Sequence, residues 1–128
     1  MTLKHWHRSS NLIEAIIFAL SGLKTVFVRE QNVRTQAIKG TVVVCAMLLF
    51  RVPPSQMMIG ILAIVLVATL EMLNTSFELL SDLIHPEYSH VIKNVKDICA
   101  GAVLLATIGA GIIGVLIFIP AIITYYAL

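Results

Sequence analysis

Polar and apolar positions alternate along this chain in long blocks, and each block has its own period. In the first, Leu12, Ile13, Ile16, Ile17, Leu20, Leu23 and Phe27 recur at i, i+3 and i+4 spacing, while Glu14, Ser21, Lys24 and Thr25 take the other faces. That period predicts an amphipathic helix over about 10–28, lying along a membrane surface. The three later blocks are apolar nearly all round. Only eleven residues separate Lys39 from Arg51, and roughly 20 are needed to cross a bilayer. A first span over 33–52 must therefore carry Arg34, Gln36 and Lys39 at its inner end, where long basic side chains can snorkel. Val52-Pro53-Pro54-Ser55 predicts a short turn, because two prolines halt one helix and suit the first turn of the next. A second helix is expected over 55–83, a loop over Ile84 to His90, and a third membrane helix over 92–125. Tyr125 and Tyr126 then fall in the far aromatic belt.

The second of these helices changes character part-way. An apolar run from Met57 to Leu70 gives way to Glu71-Met-Leu-Asn74-Thr-Ser-Phe-Glu78-Leu-Leu-Ser-Asp82. At about 100° per residue, positions 71, 74, 78 and 82 fall in one narrow arc, so three acids and an amide form a polar stripe on an apolar helix. Ionisable groups at membrane depth are costly and must face a partner, a metal or water, so such a stripe is a site hypothesis.

Composition agrees with a membrane chain. Of 128 residues, 59% are hydrophobic and 12% charged, against roughly 45–50% and 25% in soluble domains. The length allows one membrane domain, 1–128. Residues 1–9 are polar and basic, with His5, Trp6 and His7, and no charged stretch followed by an apolar run and a small-residue cleavage site opens the chain, so no cleaved signal peptide is expected. Cys45 and Cys99 sit in apolar segments as small hydrophobes rather than as a disulfide framework. The net charge of +2 comes without a basic patch interleaved with aromatics, so nucleic acid is not an expected partner.

The basic residues set an expected topology. Lys4, Arg8, Lys24, Arg29, Arg34 and Lys39 precede the first span, and Lys93 and Lys96 enter the third, against Arg51 alone elsewhere. The bias of basic residues toward the cytoplasm predicts three spans, with the amino terminus inside and the carboxyl terminus outside. Glu30, the stripe, Lys96 and Asp97 then share the cytoplasmic side.

Together these residues offer oxygen ligands for a hard divalent cation and a lysine for phosphate. Two carboxylates can hold magnesium while a third accepts a hydroxyl proton, which is the minimum apparatus of phosphoryl transfer. The plain alternative, a solvated and paired helix end, suits Glu78, Asp82, Lys93 and Lys96 but leaves Glu71 unexplained. Gly109-Ala-Gly111-Ile-Ile-Gly114 matches a dinucleotide pattern, yet no strand precedes it, so close helix packing is its expected role. Asn74-Thr75-Ser76 matches a glycosylation sequon inside a helix, where it has no use. The four histidines lack i, i+4 spacing.

At these residues the chain resembles the small prokaryotic integral-membrane lipid kinases, diacylglycerol kinase and undecaprenol kinase. The motifs that carry it are Glu71 to Asp82, Pro86-Glu87-Tyr88, Lys96-Asp97-Ile-Cys-Ala-Gly, Gly22-Leu-Lys24 and Arg29-Glu30-Gln-Asn32, and the likeness covers about residues 12–115. The resemblance implies an all-α homotrimer of protomers with three spans and a surface helix, with sites shared between neighbours. It implies Glu71 as catalytic base and Asn74 as the residue that orders the site. Glu30 and Glu78 would hold the Mg2+ that accompanies ATP, and Glu87, Tyr88, Lys96 and Asp97 would contact the nucleotide. It also implies a multi-pass protein of the bacterial inner membrane with a cytoplasmic site. Gln36 and Ser89 depart from some diacylglycerol kinases, which carry an acid and a histidine there. The run Glu30-Gln-Asn32-Val-Arg34 is closer to the undecaprenol-kinase branch.

The expected function is thus transfer of the ATP γ-phosphate to a membrane lipid alcohol, giving phosphatidic acid from diacylglycerol or undecaprenyl phosphate from undecaprenol. The competing expectation is a non-enzymatic subunit that conducts ions or protons through its intramembrane acids.

Overall fold

A computed structural model describes residues 11–127 of the chain. The basic opening, with Lys4, His5, Trp6, His7 and Arg8, and Leu128 lie outside the described residues. Those described form four helices: α1 Leu12–Arg29, α2 Gln31–Leu49, α3 Pro54–Ile84 and α4 His90–Tyr126. The described residues divide into two compact units, one ending at Gln31 and the other beginning at Asn32.

The first unit is α1. Asn11 caps it, its Oδ1 accepting from the Glu14 N–H at 2.9 Å, which satisfies one of the donors orphaned at any helix start. No residue of α1 is buried. The extended backbone of Glu30 ends it, with the Glu30 N–H donating to the Val26 carbonyl at 2.8 Å.

In the second unit, local chemistry at the α2–α3 turn fixes how the chain reverses. The Val52 N–H donates to the Met47 carbonyl at 2.9 Å and the Arg51 N–H to the Leu48 carbonyl at 3.2 Å. That pair of bonds is a Schellman cap, in which the residue just past the helix turns left-handed. Here that residue is Arg51, at φ 53°, where glycine is usual. Val52 and Met47 bury their side chains together with Ile117 and Ala121, supplying the apolar contact that accompanies such caps. Pro53 and Pro54 then start α3.

Close approach of backbones sets the packing. A Cβ at Gly60 would collide with Met47 Cε, and one at Gly40 would lie 2.8 Å from Ile64 Cγ2. Each glycine admits a side chain of the facing helix, and the pairings 40 with 64 and 47 with 60 make α2 and α3 antiparallel. α4 runs back along α3, with Ile117 beside Gly60. The expected packing role of Gly109, Gly111 and Gly114 needs correction. A Cβ on any of them meets nothing within 4 Å, so within one chain they face open space. Pro120 lies inside α4 and has no N–H to give the Leu116 carbonyl. Cys45 and Cys99 are both free thiols.

Among the described residues two helices, α3 and α4, are long and apolar enough to cross a membrane. α2 is not among them, because Arg34, Gln36 and Lys39 occupy its first half. α3 has 31 residues and is about 46 Å long, roughly 16 Å more than a hydrocarbon core of about 30 Å. The stripe from Glu71 to Asp82 spans about that excess. The apolar cluster closes one end of the unit, and the polar residues gather at the other.

Candidate active site

The stripe is the polar continuation of the packing face of α3. Gly60, Ala63, Val67 and Thr75 are buried, and helical spacing puts Gly60 and Val67 in the same arc as Glu71, Asn74 and Glu78. A face that is apolar up to Val67 therefore becomes acidic at Glu71 without rotating away from the neighbouring helix. Glu71 and Asn74 are half-buried, and Glu78 and Asp82 are exposed. The side chain of Glu71 has no hydrogen-bond or ion-pair partner among the described residues.

Asn74 organises the middle of the stripe. Its Nδ2 donates to Glu78 Oε1 at 3.0 Å, one turn on, which fixes the amide so that its oxygen points elsewhere. That oxygen, Oδ1, is buried and makes no hydrogen bond. An unsatisfied buried acceptor costs about 1–3 kcal/mol, so Asn74 Oδ1 is available to a donor or a cation.

At the outer end, α3 and α4 are tied together. Lys96 Nζ donates to Asp82 Oδ1 at 2.5 Å, across fourteen residues of sequence, and Lys93 Nζ to Asp97 Oδ2 at 2.5 Å within α4. Lys93, Asp97 and Asp82 are exposed and Lys96 is half-buried, and pairs so open to solvent contribute about 0–1 kcal/mol. They position charge more than they hold the fold. Asp82, Lys93 and Lys96 are thus a paired helix end, which Glu71 is not. Glu87 and Tyr88 lie in the connector between α3 and α4, both exposed. The Glu87 carbonyl lies 2.9 Å from His85 Nδ1, and Tyr88 Oη lies 3.3 Å from His90 Nδ1. Glu30 belongs to the first unit, as the cap of α1.

The structure thus gathers Glu71, Asn74, Glu78, Asp82 and Lys96 on two adjoining helices, with Glu87, Tyr88 and Asp97 at the same end. What sequence reasoning missed is a cavity of about 400 Å³ among α2, α3 and α4, lined by Gln36 and Lys39 as well as by Gly40, Gly60, Gly111 and Gly114. None of the acids lines it. Its signal was the small residues facing one another on three helices, visible only once they were paired.

The donor set suits magnesium. Among the described residues no three or more His, Cys, Asp and Glu side chains cluster as a closed metal cage, and magnesium does not ask for one. It takes one or two carboxylates and completes its shell with water and substrate phosphate oxygens. Glu78, with the unsatisfied Asn74 Oδ1 beside it, supplies hard oxygen donors of that kind.

The sequence profile of the prokaryotic diacylglycerol kinases matches residues 17–118. The chain is similar to a diacylglycerol kinase of Synechocystis sp., 34% identical over 116 residues that make up 90% of this chain and 66% of that protein. It is also similar to an undecaprenol kinase of Bacillus subtilis, 30% identical over 116 residues, covering 91% of this chain and 94% of that one. The matched region runs from α1 through the stripe and across most of α4. With its acidic stripe, its Lys96-Asp97 pair and its apolar helices inside that region, the chain belongs to the prokaryotic diacylglycerol kinase family of membrane lipid kinases.

Proposed function

We propose that this protein transfers the γ-phosphoryl group of ATP to the primary hydroxyl of a membrane lipid, diacylglycerol or undecaprenol. The observation that carries it is Glu71, a half-buried carboxylate without a partner at the apolar end of the stripe. There it can reach a hydroxyl held at the membrane boundary, while the outer residues meet a soluble nucleotide. Glu71 accepts the hydroxyl proton, the lipid oxygen bonds to the γ-phosphorus, and the bond to the bridging oxygen of ADP breaks. Asn74 holds Glu78 in place through its Nδ2. Lys96 and Asp97, with Glu87 and Tyr88 beside them, bind the nucleotide. Glu78 would hold magnesium, and Glu30 is assigned to the same ion by family resemblance. Bound there, the ion would neutralise charge on the phosphates. Conduction of ions or protons fits the acids poorly, because those of α3 lie between Glu71 and Asp82 and leave Met57 to Leu70 without a relay. The test is phosphorylation with radiolabelled ATP and purified protein in mixed micelles, with diacylglycerol and undecaprenol side by side. Label is expected in one of the two lipids. Label in neither would overturn the proposal.

We propose further that α2 completes a third span and that protomers assemble as trimers in the bacterial inner membrane, with the stripe on the cytoplasmic side. Supporting this, Glu78 is exposed on the stripe within one chain. Crosslinking in membranes is expected to give trimers, and a reporter fused after Leu128 is expected to be active only outside. A cytoplasmic reporter signal would break the three-span topology.

A further inference from the structure

At the end of the second unit remote from the acids stands Arg51, exposed in the α2–α3 turn. It is the only charged residue between Lys39 and Glu71, and no charged residue follows Asp97. Glu71, the first acid beyond it, is seventeen residues along α3 from Pro54, about 26 Å by helical rise. That exceeds the screening length of about 8–10 Å in physiological salt, so no acidic side chain there neutralises it. Its guanidinium has no hydrogen-bond or ion-pair partner among the described residues. It also occupies the left-handed position of the Schellman cap, at φ 53°, a conformation that glycine adopts at less cost. Strain of this kind concentrates at functional sites.

Beside Arg51 is a recess of about 200 Å³, lined by Gln56, Thr124, Tyr125, Phe50 and Pro120 among others. Tyr125 and Phe50 pack edge to face with ring centroids 5.5 Å apart, and the Thr124 hydroxyl is already given to the Pro120 carbonyl at 2.9 Å. The Gln56 amide and the Tyr125 hydroxyl have no hydrogen-bond partner among the described residues and remain to donate. The start of α3, with no acidic residue in its first turn and no side-chain cap, adds positive potential to the same place.

We propose that this recess binds the phosphodiester headgroup of an anionic phospholipid, on the membrane face opposite the kinase site. Arg51 supplies a forked, permanently charged donor suited to phosphate. Gln56 and Tyr125 supply neutral donors, and the aromatic rings sit at the depth where headgroup meets acyl chain. The occupant is a lipid rather than a free anion, because Leu49 and Ile123, next in sequence to Phe50 and Thr124 of the lining, expose apolar side chains suited to acyl chains.

Thermal unfolding of the purified protein in neutral detergent tests this, with added phosphatidylglycerol, phosphatidylcholine or inorganic phosphate. Phosphatidylglycerol is expected to raise the wild-type midpoint by about 3–6 °C, since a ligand of the folded state stabilises it. Phosphatidylcholine and inorganic phosphate are expected to leave the midpoint unchanged. Arg51→Gly separates binding from folding, because glycine relaxes the left-handed backbone while removing the charge. Its midpoint without lipid should hold or rise, and its response to phosphatidylglycerol should vanish. Arg51→Lys should keep part of the response. An equal response in wild type and Arg51→Gly overturns the site, and a wild-type shift reproduced by inorganic phosphate overturns the lipid. If Arg51 only complements the carboxyl end of α2, Arg51→Gly lowers the midpoint equally in every lipid, which also overturns it. Should Arg51→Gly fail to fold, Gln56→Ala with Tyr125→Phe is expected to weaken the response, and an unchanged one counts against the proposal.

Discussion

Glu71→Gln is expected to lower lipid phosphorylation by about 10²–10⁴-fold, the usual contribution of a general base. ATP affinity should stay nearly intact, so the loss falls on kcat. The fold gives a reason to expect this separation. Glu71 makes no hydrogen bond or ion pair among the described residues, so an amide of the same shape breaks no contact. It also leaves untouched the Asn74–Glu78 bond and the Lys96–Asp82 pair further along the stripe. Only the capacity to take a proton is lost. A mixed-micelle assay decides the matter: if Glu71→Gln kept more than about a tenth of wild-type turnover, Glu71 would be a structural residue and another base would have to be found.

Glu78→Gln should act on the other half of the reaction. Removing the negative charge while keeping an oxygen that can accept from Asn74 Nδ2 preserves the local geometry, so assembly and unfolding temperature should change little. Magnesium-dependent ATP affinity is expected to fall about 10–100-fold, the worth of one charge-assisted contact. Nucleotide titration in detergent, with and without magnesium, reads this directly. Equal affinity in the variant and the wild type, or an equal loss without magnesium, would remove Glu78 from the metal.

These two expectations draw on different kinds of information. That positions 71, 74, 78 and 82 share a face follows from helical period alone, so the stripe was legible in the sequence. The acids stood out because the surrounding residues are apolar. That Asn74 turns its Nδ2 to Glu78 and buries its Oδ1 was not legible, since the direction of an amide depends on what packs over it. Lys96 was expected near the stripe from the common membrane side of the two segments. Its particular partner, Asp82, follows from the register between α3 and α4, which the short connector and the packing around Gly60 decide. The glycines illustrate the same limit. Gly109, Gly111 and Gly114 look from the sequence like a packing motif, yet the close approaches are at Gly40 and Gly60, because only pairing across helices tells a contact from a gap.

By itself, then, the sequence determined the membrane class, the helical periods, the turn at the prolines, the acidic stripe and the family resemblance. All of these depend on residues near one another along the chain, where 3.6 residues per turn and the roughly 30 Å of a bilayer are strong constraints. The tertiary structure decided which helix faces meet, which carboxylates find a partner, where the cavity opens and which residue takes the left-handed turn. Those depend on long-range packing, where a difference of one position in register exchanges a buried partner for open space. Arg51 shows both at once. Its separation along the chain from every acid is written in the sequence, and its strained place beside the Tyr125 recess comes from the way α2, α3 and α4 close around Met47 and Ile117.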